Sequence, residues 1–127
     1  MKRAKRKLCG VILPKEHIAA GDTLHIATRP MDWGVSGEFF FLGEYIHLNS
    51  TLPRRHTVLE ALIHECLESS MQAAGMRFTK PSVEKDYFFV FDHMQFANVC
   101  SELARTVGKL LDLNSKPKGK WHEREHP

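Results

Sequence analysis

From Thr23 to Thr28 the order Thr-Leu-His-Ile-Ala-Thr alternates apolar and polar positions and is rich in β-branched side chains, which predicts a strand ending at Arg29-Pro30. Phe39-Phe40-Phe41, then Leu42-Gly43, then Glu44 to Leu48 read as a strand, a turn and a third strand. In that third strand Tyr45, His47 and Asn49 share one face and Ile46 and Leu48 the other, because side chains alternate with a period of two. The first half of the chain is therefore expected to be a small antiparallel sheet.

After residue 50 the period changes. Ser50 or Thr51 can cap a helix, with Pro53 in its first turn, where a missing N–H is harmless. Val58, Leu59, Leu62, Ile63, Cys66, Leu67, Ser70 and Ala74 fall in one broad arc at 100° per residue, and Gly75 is a natural stop. A loop through Lys80-Pro81-Ser82 follows, and Tyr87 to Phe91 is an apolar run suited to a short strand or to the docked end of that loop. Asp92 with Gln95 three residues on is a capping-box pattern opening a second helix, which should end near Leu113-Asn114. Its expected core stripe is Ala97, Cys100, Ala104, Val107 and Leu111. The fold class predicted is α+β: a small antiparallel sheet, then a long helix, then a C-terminal helix.

With 127 residues the chain has the size of one domain, and its 43% apolar and 26% charged residues are those of an ordinary globular protein. No apolar run reaches the roughly 20 residues of a spanning helix, so no membrane association is expected. The apolar stretch Leu8 to Leu13 is interrupted by Gly10, too short for a signal peptide. Cys9, Cys66 and Cys100 are odd in number and widely spaced, which points away from a disulfide framework and to a cytoplasmic protein. The net charge of +3 hides an asymmetry. Residues 1–7 carry five Lys/Arg and residues 115–127 carry four against two Glu, leaving 9 basic and 13 acidic residues in 8–114. The division expected is a basic tail at 1–7, a domain at 8–114 and a basic tail at 115–127. The tails make nucleic acid a candidate partner, although 1–7 lacks interleaved aromatics.

The chemistry concentrates in His64-Glu65-Cys66-Leu67-Glu68. Residues four apart on a helix project from one face, so His64 and Glu68 suit two ligands of one divalent metal, with zinc the leading choice. Glu65, by analogy with H-E-x-x-H helices, is placed as a general base toward a metal-activated water. On the wheel, His64, Glu65, Glu68 and Ala61 lie opposite the apolar arc. A third ligand is expected at His93, which shares the inward stripe assigned to the second helix, with Asp92 as the alternative. His56, Glu60, His64 and Glu68 also form an i,i+4 series that reads equally as a solvated charge ladder. Cys66 reads as a small buried hydrophobe. His17, His25, His47, His122 and His126 have no such partnership, and Trp33 and Trp121 carry no functional signal.

The segments Gly43 to Leu48, Thr57 to Glu68 and Asp92-His93 with the helix running to Leu110-Leu111-Asp112-Leu113-Asn114 resemble small metallopeptidase-like proteins of phages and prophages. These are similar to the minimal zincin domain of the ImmA/IrrE type. The resemblance covers about residues 38–114. It implies an edge strand lining a cleft, His64 as first ligand, Glu65 as base and Glu68 at the second ligand position, where that family usually has His. The functions it implies are a zinc-dependent peptidase acting on a protein or peptide substrate, or a non-catalytic binding module that engages a host protein.

Overall fold

The computed structural model describes residues 7–42, 44–79 and 87–115. Most of the two basic tails, Gly43, the loop around Lys80-Pro81-Ser82, Trp121, His122 and His126 lie outside the described residues. The chain opens with a hairpin of β1 (Lys7–Leu8) and β2 (Val11–Ile12), followed by β3 (Glu16–Ala19) and β4 (Asp22–Arg29). Next come β5 (Gly37–Phe40), β6 (Tyr45–Asn49), α1 (Arg55–Ala73), β7 (Arg77–Thr79), β8 (Tyr87–Phe89) and α2 (His93–Asn114). The architecture is α+β, as the periodicity predicted.

The main sheet has the order β3-β4-β6-β5. β3 pairs antiparallel with β4, and β5 antiparallel with β6, but the central pair β4–β6 runs parallel, with Ile26 opposite Ile46 and Thr28 opposite Leu48. The expected all-antiparallel sheet thus has one parallel seam, because the chain crosses from β4 to the far edge, forms β5 and returns beside β4. The β3–β4 connection is a two-residue loop, Ala20-Gly21, with φ of 51° and 88°. Two positive φ values in succession make the hairpin geometry whose twist matches its strands. Cys9-Gly10 repeats it between β1 and β2, with φ of 51° and 77°.

One face of the sheet carries both helices. Leu24 and Ile26 of β4 and Ile46 and Leu48 of β6 are completely buried against Val58, Leu62 and Cys66 of α1, with Leu110 of α2 closing the cluster. Pro53 precedes α1 instead of entering it, and neither Ser50 nor Thr51 is the cap. The helix begins after Arg54, where the Thr57 hydroxyl accepts from the Arg54 N–H at 3.3 Å and donates to its carbonyl at 2.7 Å. At the other end Gly75 N–H donates to the Gln72 carbonyl and Met76 N–H to that of Met71, so α1 closes at the expected place. α2 opens on the expected capping box, with Asp92 Oδ1 accepting from Gln95 N–H at 2.8 Å and Gln95 Oε1 from Asp92 N–H at 3.0 Å.

The inward face of α2 differs from expectation. Val99, Thr106 and Leu110 are buried and Leu103 packs on the core, whereas Ala97, Cys100, Ala104 and Leu111 are exposed. Both stripes have the same alternation of three and four residues, and the larger side chains of Val99, Leu103 and Leu110 bury more apolar surface.

β3, α1 and α2 meet at His17, whose side chain is wholly buried. Its Nδ1 lies 2.6 Å from Thr106 Oγ1 and its Nε2 2.7 Å from Ser70 Oγ. In the neutral ring one nitrogen donates to a hydroxyl oxygen and the other accepts from a hydroxyl, so both buried alcohols are satisfied. Burial holds the imidazole below its ordinary pKa, against an opposing pull from Glu102 and a hydrogen bond with the Cys66 backbone. Among the described residues no helix is long and apolar enough to cross a membrane.

Candidate metal and substrate cleft

α1 lies beside the edge strand β5, and the contact is close because Gly37 has no side chain. A Cβ at Gly37 would stand 3.0 Å from Glu65 Cγ and 3.0 Å from the His47 carbonyl oxygen. Glu65 consequently lies against β5 with 6% of its surface exposed, and Ala61 is buried with it. The side of α1 opposite the apolar arc, which the helical wheel allowed to line a cleft or to be solvated, is at these two residues buried against the edge strand, which reaches past that arc. A carboxylate so enclosed has its position set by packing.

Next to Glu65 the expected pair is assembled. His64 Nε2 and Glu68 Oε1 are 3.1 Å apart, with His64 exposed and Glu68 half-buried. Two ligands at roughly 2.0–2.1 Å from a tetrahedral zinc stand about 3.3 Å from each other, so the spacing fits two corners of such a site. The same spacing is a hydrogen bond when Nε2 carries the proton. His64, Glu65 and Glu68 all face a cleft of about 550 Å³ whose other wall is Gly37 to Leu42, with Gln72 at its end. His64 and Glu65 also line a second hollow, bounded by Trp33, Val35, Gly37, Thr51 and Glu60. The two hollows adjoin at His64-Glu65 and form one groove along the edge strand.

His93 does not join them. It stands exposed at the first turn of α2, on the face that turns away from the core, so the inward placement read from the stripe is corrected. Asp92 uses its carboxylate to cap the helix. Among the described residues no three His, Cys, Asp or Glu side chains are grouped to hold one ion. The cleft therefore brings together two candidate ligands among the described residues, where a catalytic zinc site uses three.

Cys66 is wholly buried, and its thiol is pushed up to about 12 by burial, with the Glu65 charge adding to the shift. A thiol held protonated at neutral pH is no nucleophile, in line with its reading as a core residue. His25, Tyr45 and His47 lie on the opposite, open face of the sheet, Tyr45 and His47 stacked at 5.2 Å. The His47 imidazole is lowered by burial and then by the Arg29 charge, while Glu38 opposes.

Three residues of the groove escaped the sequence reading. Gly37 sets the closeness of helix and strand, Gln72 continues the His64-Glu68 face by one turn, and Trp33 stands on its rim. Only Gln72 had a signal, the i,i+4 spacing from Glu68. In comparisons with protein-family models, curated proteins and solved structures, nothing matches the chain.

Proposed function

We propose that the chain is a zinc-dependent hydrolase of peptide bonds, with His64 and Glu68 as metal ligands and Glu65 as general base. The observation that carries this reading is the placement of all three side chains on one wall of a groove whose other wall is a sheet edge. Zinc, when bound, supplies a Lewis acid that polarises a scissile carbonyl and makes water acidic at neutral pH. The protein's own contribution is positional. His64 offers a neutral nitrogen and Glu68 an anionic oxygen at ligand spacing, while Glu65, fixed against Gly37, takes the proton of the attacking water on a carboxylate oxygen and passes it to the leaving amine. The wide spacing of three cysteines supports a cytoplasmic setting, the host's if a phage encodes the chain.

Glu65→Gln keeps the shape of the side chain and removes its basicity, so zinc content should be unchanged and hydrolysis of a peptide library lost. Loss of zinc in this variant would mean that Glu65 is a ligand. A second reading, a metal-bearing or metal-free scaffold that engages a host protein without catalysis, is supported by there being no third candidate ligand grouped with His64 and Glu68 among the described residues. Stoichiometric zinc with no turnover of any peptide by the wild-type protein would establish that reading over the first.

A further inference from the structure

The two halves of the groove differ in chemistry. Around one end Phe39, Phe41 and Leu42 form an apolar wall, with Phe39 and Phe41 partly buried against the core and Leu42 wholly exposed. The other end has Glu60 on α1 and Trp33 on the loop before β5, the indole 99% exposed. That loop is firmly held. Asn49 is buried and accepts from the Met31 N–H at 3.2 Å through Oδ1, and its Nδ2 donates to the Val35 carbonyl at 2.7 Å, while its own backbone N–H donates to Ser36 at 2.9 Å. A tryptophan displayed in solvent on a pinned loop has surface available for a ligand at little ordering cost. The acidic side chains on the helix side of the groove are Glu60, Glu65 and Glu68, and no Lys or Arg is among its described lining residues. Glu38 projects to the opposite face of the sheet, beside His47, where Arg29 pairs with it at 2.9 Å.

We propose that the groove selects an extended, basic polypeptide, seating a Lys or Arg side chain between Trp33 and Glu60 and an apolar side chain against the wall of Phe39, Phe41 and Leu42. This deepens the proposed function and rests on that reading for the groove being the substrate site. The cation is recognised twice, by the carboxylate of Glu60 and by the face of the indole. The two hollows share Gly37, His64 and Glu65, so one extended peptide of a few residues, at about 3.3 Å each, reaches from one to the other.

The test is binding of fluorescein-labelled, end-blocked hexapeptides to the full chain by anisotropy, with and without saturating zinc. The peptides carry Lys and Leu four residues apart in either order, or have Glu or norleucine in place of Lys. The Lys peptide in one of its orders should bind at least about tenfold more tightly than its Glu counterpart, since a charge-assisted contact becomes a repulsion. Glu60→Gln should remove most of the Lys-over-norleucine preference, and Trp33→Ala should weaken the Lys peptide about two- to fivefold. Both positions are exposed, and an unchanged melt confirms that the variants fold. Equal binding of the Lys and Glu peptides, a preference that survives Glu60→Gln, or no binding of any peptide overturns the proposal. Selective binding without hydrolysis would sink the hydrolase and leave the proposal standing, whereas hydrolysis without charge preference would do the reverse.

Discussion

Replacing His17 by Leu keeps an apolar side chain of similar bulk among β3, α1 and α2 but strands two buried hydroxyls, Thr106 Oγ1 and Ser70 Oγ, which the imidazole now satisfies at 2.6 and 2.7 Å. Leaving a buried polar group without its partner costs about 1–3 kcal/mol. Ser70 can recover part of this by turning to the carbonyl four residues back on α1, so its share falls at the low end. The expected loss is about 2–5 kcal/mol, a large fraction of the roughly 5–15 kcal/mol that holds a domain together. At about 3–4 °C per kcal/mol for a chain of this size, the melt should fall by roughly 6–20 °C. The sharper expectation concerns the triple variant His17→Leu, Ser70→Ala, Thr106→Val. Removing the stranded hydroxyls should restore about 1–3 kcal/mol of what the single variant lost, although two more side chains have been changed. Urea titrations followed by circular dichroism measure both, with the slope m checked for constancy. A single variant within about 0.5 kcal/mol of wild type, or a triple variant less stable than the single, would refute the account of His17 as a hydrogen-bonded core histidine.

Because burial keeps folded His17 neutral below its ordinary pKa, stability should be flat above about pH 6.5 and fall below it as the unfolded chain takes the proton first, by at most about 1.4 kcal/mol per pH unit. His17→Leu should lessen that slope in urea midpoints taken between pH 5 and 7, and an unchanged slope contradicts the assignment. Gly37→Ala should cost about 1–3 kcal/mol and weaken hydrolysis, because its Cβ meets backbone at His47 as well as Glu65; a variant with wild-type stability and activity would show that the close approach is unimportant. A thiol reagent at neutral pH should label exposed Cys9 and Cys100 and spare Cys66 until urea is added; rapid labelling of all three contradicts its burial. Zinc at one hundred times its dissociation constant should raise stability by about 2.7 kcal/mol, equally in wild type and in His93→Ala; loss of the effect in that variant would restore His93 as a ligand.

Local signals carried much of the fold. The capping box at Asp92-Gln95, the stop at Gly75 and the buried faces of Ile46 and Leu48 depend on neighbours within a few residues and were legible. The hairpins at Cys9-Gly10 and Ala20-Gly21 were not, since neither has the Asn or Asp that usually marks such turns. Alternation groups Asn49 with Tyr45 and His47 but does not announce its burial, which comes from the loop at 31–36 that it holds. The stripe on α2 was displaced because small apolar residues at Ala97, Cys100 and Ala104 mimic a core pattern on an exposed face, and His93 was misplaced with them. The pairing of His64 with Glu68 followed from helix geometry alone. Burial of Glu65 needed Gly37, nearly thirty residues earlier, and no local pattern announces such a contact.

The central claim is that His64 and Glu68 hold a zinc ion beside Glu65, and a calorimetric zinc titration of untagged protein tests it most directly. Wild type and Glu65→Gln should each show one site per chain, which His64→Ala and Glu68→Ala both lose. An isotherm unaltered in His64→Ala, or no zinc binding by the wild-type protein, would contradict it.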